Sequence, residues 1–270
     1  PAGTKVQSIT IDGTPSNPAQ QAALLIDQDA DVSIAGNITV RDRDDDDEAT
    51  AEPLQNGIAI KVFDPLLTGS LRLKDGASLN VIEVRGPDYD GNSDGLPDAN
   101  DTDEDGIIEG SPALSGGKRR IGLWVDNNIS NDLIGESGSS ITVEGTGGTD
   151  DSGNIVAGVF INGDLLGNLD LSTNITVIGD NARGVNLNNP IGGNYRQRGS
   201  VNVRGDDSVA LDIDGAIAGS LMIEGAIQAT GYSLPILPTR GGLDSDTAQE
   251  FDADQQTANP NERRTSGSAV

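Results

Sequence analysis

The chain repeats a pattern every 26 residues between positions 155 and 231, and this period constrains its fold more than any other feature. Gly158, Gly184 and Ala210 occupy the same position in three successive copies. A self-similar period of this size is typical of stacked structural units rather than of one globular core. We therefore expect an elongated molecule built from similar turns of chain.

The apolar residues of each copy alternate with small or polar residues, and Gly, Asn or Asp closes each short run. The third run of the copies is Ile175–Gly179, then Val201–Gly205, then Ile227–Gly231. Alternation with a period of two, bounded by turn residues, indicates short β-strands. The predicted fold is all-β: a right-handed parallel β-helix, or β-solenoid, with three short strands per coil and long loops inserted at one corner.

The composition agrees with a thin aliphatic core. The chain contains 36 Gly but only 3 Phe, 3 Tyr and 1 Trp, so Val, Ile and Leu must fill the interior. Its formal net charge of −26 argues against nucleic acid, because binding to phosphates needs a basic surface. The same charge argues against insertion of this segment into an anionic membrane and favours cations as partners. The absence of Cys and His removes disulfides, thiolate metal sites and the commonest general base.

The pattern divides the chain into three regions. Residues 1–56 are predicted to form an N-terminal cap and a first irregular coil followed by an acidic loop, and the pattern is expected to break from Arg41 onward. Residues 57–231 are predicted to form the regular coils, and residues 232–270 a polar excursion and the start of a further coil. A terminal coil that differs from the others is expected, since the end of a stack needs a cap.

The long insertions share one position in the repeat. Segments 41–56, 85–120, 146–155 and 232–266 all fall between a third strand and the next first strand. In a solenoid this places every long loop at the same corner. Such clustering either marks an interacting face or reflects a corner that tolerates length, and the sequence leaves both interpretations open.

The 85–120 insertion contains the strongest chemical motif. Oxygen-bearing side chains recur at positions one, three and five before a Gly at six, which is the spacing of a calcium loop that begins at Asp90 and again at Asp101. Ca²⁺ takes six to eight hard oxygen ligands, and alternate residues of a tight loop supply them. The predicted ligands are Asp88, Asp90, Asn92, Asp94, the Leu96 carbonyl, Asp98, Asp101, Asp103, Asp105, the Ile107 carbonyl and Glu109.

This stretch resembles the thrombospondin type 3 calcium repeat over residues 88–109. It departs from that family in lacking a cysteine, and Pro112 stands where the second cassette has an acidic ligand. The resemblance implies Ca²⁺ as the cofactor and an extracellular setting. An unliganded acidic loop is the alternative.

Two weaker patterns have mainly structural interpretations. Asn37 and Asn174 lie in glycosylation sequons but directly precede a third strand, so we expect them to be turn residues. The basic run that ends in Arg119 and Arg120 is predicted to neutralise the acidic loop beside it.

The segment Val177–Leu187 resembles the repeats of bacterial autotransporter passenger domains, and the likeness extends over 57–231. The resemblance implies a non-enzymatic protein exported through the outer membrane to the cell surface. There it would act as an adhesin, fibre or coat component that associates with itself or with other surface components. The alternative is a polysaccharide-processing β-helix enzyme, which would need paired carboxylates and exposed aromatic side chains in a cleft.

Overall fold

A computed structural model describes residues 4–11, 22–27, 29–43, 57–63, 66–84, 119–145, 154–205 and 207–231 of the 270-residue chain. These residues form twenty strands, and no helix occurs among them. The strands are β1 (Thr4–Ile11), β2 (Leu24–Ile26), β3 (Val32–Arg43), β4 (Gly57–Val62), β5 (Leu66–Leu67), β6 (Leu71–Leu73), β7 (Ser78–Val84), β8 (Arg119–Val125), β9 (Asn128–Ile129), β10 (Leu133–Gly135), β11 (Ser140–Glu144), β12 (Ile155–Ile161), β13 (Leu169–Leu171), β14 (Asn174–Ile178), β15 (Arg183–Leu187), β16 (Tyr195–Gln197), β17 (Val201–Arg204), β18 (Val209–Ile213), β19 (Leu221–Ile223) and β20 (Ile227–Thr230).

The strands form two large parallel sheets and one two-stranded pair. The six-stranded sheet has the order β18-β15-β12-β8-β4-β2 and contains the first strand of every repeat. The twelve-stranded sheet contains the second and third strands, and its two halves join through β3, which pairs with β6 and with β7. The prediction of an all-β chain with stacked parallel strands is therefore confirmed.

The register of the pairs confirms the alignment of the repeats. Val159 pairs with Val185, and Val185 pairs with Leu211, each 26 residues further along the chain. The second and third strands keep the same offset in β13, β16 and β19 and in β14, β17 and β20. We call the strands of one repeat a rung, so the six-stranded sheet defines six rungs.

A fourth, shorter ladder joins the rungs between the first and second strands, and the sequence analysis missed it. The pair β5–β9 begins it, and isolated parallel bridges continue it through Ile129, Leu165, Ile191 and Ile217. Only one or two residues per rung take part, too few for a period of two to be visible. From the second rung onward, each rung therefore pairs with the next along four ladders.

The core between the sheets consists mainly of aliphatic ladders, as predicted. Leu133 and Leu169 are fully buried and paired in register, as are Ile175 and Val201. Tyr195 is the exception, since this aromatic residue is also fully buried in the ladder. Its hydroxyl donates a hydrogen bond of 2.9 Å to Gln197 Oε1, and burial raises the pKa of Tyr195.

The small-residue position of the repeat is explained by contact between the first and third strands. A Cβ atom on Gly158 would lie 2.4 Å from Ile175 Cγ2 and 2.7 Å from the Gly184 carbonyl oxygen. A Cβ atom on Gly184 would likewise clash with Val201 Cγ1 and with the carbonyl oxygen of Ala210 in the next rung. The first strand therefore needs Gly or Ala where it passes the side chains of the third.

One boundary prediction at the first rung is wrong. We expected the pattern to break at Arg41, but β3 runs on to Arg43 and pairs Arg41 with Ile82 and Arg43 with Val84. The backbone of these three residues therefore continues the strand in register with β7. The acidic residues from 44 onward lie outside the described residues.

Three of the long insertions follow neighbouring strands of one sheet and lead into neighbouring strands of the other. Strands β3, β7 and β11 each contain the third strand of a rung, and β4, β8 and β12 are each the first strand of the rung that follows. Where the connection is short, Gly179 and Gly205 have φ of 144° and 150°, a conformation that favours glycine. The corner thus joins rungs either by four residues or by much longer segments.

Candidate functional site

The predicted calcium ligands lie outside the described residues, so their arrangement stays a prediction. This applies to Asp88, Asp90, Asn92, Asp94, Leu96, Asp98, Asp101, Asp103, Asp105, Ile107 and Glu109. The described residues fix only the ends of their segment, Val84 in β7 and Arg119 in β8. These two strands belong to successive rungs.

Within the described ranges, no group of three or more Asp and Glu side chains is close enough to hold a metal ion. The same ranges contain no helix that is long and apolar enough to cross a membrane. The chemistry that the described residues do show consists of contacts between rungs.

One column of polar side chains links successive rungs by accepting backbone hydrogen bonds. Asp132 Oδ1 accepts from the Asn168 N–H at 2.7 Å, Asn168 Oδ1 accepts from the Asn194 N–H at 2.9 Å, and Asn194 Oδ1 accepts from the Ser220 N–H at 2.9 Å. Each residue thus satisfies a donor at the turn of the rung above it. Such stacked side chains fix the register of the rungs as well as their spacing.

The asparagines of the sequon patterns lie in strands and not in turns, which corrects the prediction: Asn37 is inside β3 and Asn174 is the first residue of β14. Asn37 Oδ1 accepts a hydrogen bond from the Ser78 hydroxyl at 2.9 Å. Asn174 Oδ1 accepts from both the N–H and the hydroxyl of Ser200. Both asparagines therefore join one third strand to the next.

Two carboxylates of the first rung, Asp29 and Asp31, accept hydrogen bonds from the second rung that favour their ionised form. The Thr68 hydroxyl and backbone N–H, with a further N–H from Gly69, keep the pKa of Asp29 below its ordinary value. The Ser70 N–H and hydroxyl do the same for the pKa of Asp31. Hydrogen bonds donated to a carboxylate favour its charged form.

Outward-facing charges pair between neighbouring rungs. Arg198 binds Asp170 at 2.7 Å, Arg196 binds Glu224 at 2.8 Å, and Arg183 binds Asp212 at 2.8 Å. Asp212 belongs to one of these ion pairs and keeps 30% of its side chain exposed. These carboxylates have a structural partner each.

Glu136 accepts hydrogen bonds from three residues of the preceding rung, two of which are cations. Lys74 Nζ lies 2.9 Å and Arg72 Nη1 3.2 Å from its Oε1, and the Asp75 N–H donates to Oε2. The contact with Lys74 is the main cause that lowers the pKa of Glu136, with smaller contributions from Asp75 and Arg72. One carboxylate thus forms ion pairs with two cations of the preceding rung.

We expect Glu136→Gln to lower the free energy of unfolding at pH 7 by about 1 kcal/mol. Because the folded pKa lies below the unfolded value of about 4.3, the stabilisation is fully present above that value and is lost as pH falls through the folded pKa. Urea unfolding of the parent and the variant from pH 7 to pH 3 measures this, and their difference should shrink on acidification. A difference that is independent of pH would contradict the assignment.

A second hydrophobic cluster lies on the face of the six-stranded sheet that is turned away from the core. We call it the outer cluster, and it consists of Ile58, Ile121, Trp124, Ala157 and Phe160, all at most 4% exposed. Trp124 and Phe160 pair in register, with ring centroids 6.2 Å apart. Sequence reasoning missed the cluster, although a strand without polar residues, as β12 is, indicates burial on both faces.

Cations lie against this cluster. Lys61 Nζ is 3.8 Å from the centroid of Trp124 and 3.0 Å from Asp126 Oδ2, and the guanidinium carbon of Arg119 is 4.6 Å from the same ring. A cation over an indole face is an attractive contact that strengthens when water is excluded. Phe63, which is 48% exposed, lies on the other side of Lys61 at 4.7 Å.

Arg120 has a structural role that its place in a basic run did not indicate. Its side chain is 1% exposed, and its Nε donates a hydrogen bond to the carbonyl of Glu144. Gly57 in the rung below carries no Cβ, and a Cβ there would lie 3.9 Å from the Arg120 guanidinium. Arg120 therefore packs inside the corner of the stack, and a role toward the acidic loop stays a prediction.

Comparison with known proteins adds no family to this picture. A scan of protein-family models, a search of curated proteins and a search of solved structures each found no significant match to the chain.

Proposed function

We propose that this chain is a structural segment of an exported surface protein: a right-handed parallel β-helix, stiffened by calcium, that carries no catalytic activity. The observation that supports it most is the continuous parallel register through six rungs. Such a stack makes a long, stiff rod from little aromatic material, which suits display or mechanical spacing. The resemblance of residues 57–231 to autotransporter passengers points the same way.

The charges of the described residues fit a scaffold better than a cleft. Asp170, Asp212 and Glu224 each pair with an arginine, and Glu136 pairs with two cations. A hydrolytic site would need a carboxyl group raised in pKa beside a second carboxylate. The described carboxylates whose pKa is shifted, Asp29, Asp31 and Glu136, are all lowered.

The calcium part of the proposal rests on the spacing of oxygen ligands between Asp88 and Glu109. Nine acidic residues in the 34 residues of 85–118 repel one another unless a cation is bound. A bound calcium ion would relieve this repulsion. Its effect would be to stiffen the corner where the rod carries its longest insertion.

We expect the whole chain to bind Ca²⁺ with a dissociation constant of about 10⁻⁴–10⁻³ M, as extracellular modules do. Isothermal titration calorimetry with Ca²⁺, and with Mg²⁺ for comparison, measures this. A variant with Asp90, Asp94, Asp101 and Asp105 changed to Asn should lose the binding. The matched control changes Asp44, Asp45, Asp46 and Asp47 to Asn, which removes the same charge and should keep it. No heat from the parent chain at millimolar Ca²⁺ would remove calcium from the proposal.

Self-association is the remaining part of the proposal. Among the described residues β18, β19 and β20 pair on one side only, and Leu221, Met222 and Ile223 of β19 are 45%, 46% and 40% exposed. An open strand edge with apolar side chains is a template for a further strand, and a head-to-tail contact that does not close gives a filament. Light scattering with and without a chelator measures this, and a monomer in both conditions would contradict it.

A further inference from the structure

The outward side of the third strands carries two columns of residues without a charge. Buried aliphatic residues such as Ile141 and Ile175 alternate with them along each strand. We call these twelve outward residues the neutral face. The first column is Asn37, Ser78, Ser140, Asn174, Ser200 and Ala226, and the second is Thr39, Asn80, Thr142, Thr176, Asn202 and Gln228.

The lack of charge distinguishes this face within a chain that has 43 acidic and 17 basic residues. The second strands present Asp170, Arg196 and Arg198 on their outward side. The first strands present Arg183 and Asp212. The other outward faces therefore carry ion pairs in the same part of the stack where the neutral face carries amide and hydroxyl groups.

The neutral face is accessible to solvent, and hydrogen bonds between its own side chains order it. Asn174 and Gln228 are exposed, and Thr142 and Thr176 are half-buried in the second column. The Ser200 hydroxyl donates a hydrogen bond of 3.0 Å to Asn174 Oδ1. Side chains that are ordered in advance lose little conformational freedom when they bind a partner.

The backbone sets the spacing of these groups in two directions. Neighbouring rungs are about 4.8 Å apart, and residues two positions apart along a strand are about 6.7 Å apart. The strand pairs from β3 to β20 run without a shift in register, so six rungs give columns of about 24 Å. The neutral face is therefore a regular array of hydrogen-bonding groups.

These properties restrict the chemistry of a partner. Phosphates and other anions bind to cationic side chains, and the twelve residues include none. Protein partners rely on aromatic and apolar anchors, and the largest wholly apolar side chain of the face is that of Ala226. Sugar rings stack on aromatic side chains, which the face also lacks. An uncharged lattice that repeats in two directions fits the face best.

We propose that the neutral face binds ice. The water molecules of ice form a lattice whose spacing along one axis is close to the distance between rungs. Hydroxyl and amide groups at this spacing can hold a first layer of water that continues the lattice. Water that bridges two surfaces binds nearly as well as a direct hydrogen bond, and linked weak contacts reinforce one another.

The lack of charge follows from the same physics. A charged side chain holds a hydration shell of its own, which does not match the lattice and would have to be removed at a cost. Ice binding needs only the register of the third strands. It depends neither on calcium nor on export.

Incorporation into ice tests the proposal with the whole chain. We expect the chain to be enriched several-fold over serum albumin in slowly growing ice. Thr142→Tyr should reduce this enrichment several-fold, because a large ring at the middle of the face keeps the lattice away from the neighbouring residues. The matched control is Ile134→Tyr, on the outward side of β10 in the same rung, and it should leave the enrichment unchanged.

Two further variants separate the shape of the face from the folding of the chain. Thr142→Ser keeps the hydroxyl group and should keep most of the enrichment. Asn202→Tyr repeats the test two rungs away and applies even if Thr142→Tyr does not fold. Circular dichroism of each variant shows whether the strands are retained.

Three outcomes would overturn the proposal. The first is exclusion of the whole chain from ice to the same extent as serum albumin. The second is an equal loss of enrichment in Thr142→Tyr and Ile134→Tyr. The third is retention of the whole chain on insoluble cellulose without enrichment in ice, which would make a neutral glycan the partner of the face.

Discussion

Leu169→Ala should lower the free energy of unfolding by about 3 kcal/mol, within the range known for buried leucines. Leu169 is fully buried and pairs in register with Leu133 below and Tyr195 above. The cavity would therefore open between three rungs, and parallel strands held in register cannot close it by collapse. Urea unfolding followed by circular dichroism measures the loss.

The chain supplies a matched control three residues away. Leu166 is 55% exposed, so Leu166→Ala should change the free energy of unfolding by no more than about 0.5 kcal/mol. Equal effects at the two positions would show that Leu169 does not lie inside a packed ladder.

Gly158→Val should cost about 3 kcal/mol or more, by overpacking rather than by cavity formation. A Cβ at this position would already be 2.4 Å from Ile175 Cγ2 and 2.7 Å from the Gly184 carbonyl oxygen, and Val adds two further carbons. Ala59 and Ala210 fill the equivalent position in other rungs and are fully buried, so the position accepts a methyl group at most.

The control for this prediction separates crowding from backbone strain. Gly76 has a φ of 77°, and a Cβ there would meet no atom within 4 Å. Gly76→Ala should therefore cost only about 1 kcal/mol, through the left-handed conformation alone. A loss at Gly158 no greater than this would mean that the first and third strands are not in close contact.

The regular part of the fold was predictable because the repeat appears in the sequence as a repeat. Gly158, Gly184 and Ala210 gave the period, and alternation gave the strands between them. Aligned copies of a parallel stack must pair position by position, so the register of β12, β15 and β18 followed as well. No other class of fold makes long-range contacts so directly readable.

The parts that were missed are those in which the period carries no information. The ladder through Leu165 and Ile191 uses one residue per rung, and a single residue has no periodicity. Arg120 looked like a surface charge, but its side chain is 1% exposed and donates a hydrogen bond to the carbonyl of Glu144. The outer cluster was missed because an amphipathic pattern predicts one buried face, and β8 buries two.

The candidate calcium site was predicted from ligand spacing alone, and its residues from Asp88 to Glu109 lie outside the described part of the chain. Ligand spacing predicts the ion more securely than it predicts the path of the backbone around it.

The most direct test of the account is the distance between residues of one column as the number of rungs between them increases. The register pairs place six residues in one column, one from each rung, in the order Ser33, Arg72, Ile134, Asp170, Arg196 and Met222. The chain contains no Cys, so a cysteine at position 33 can be combined with a second one at position 170, 196 or 222. Double electron–electron resonance then measures the distance between the two spin labels of each pair. The account predicts backbone separations of about 14, 19 and 24 Å for Asp170, Arg196 and Met222, an increase of about 4.8 Å for every 26 residues. Distances that fail to grow in equal steps would contradict a parallel stack of rungs.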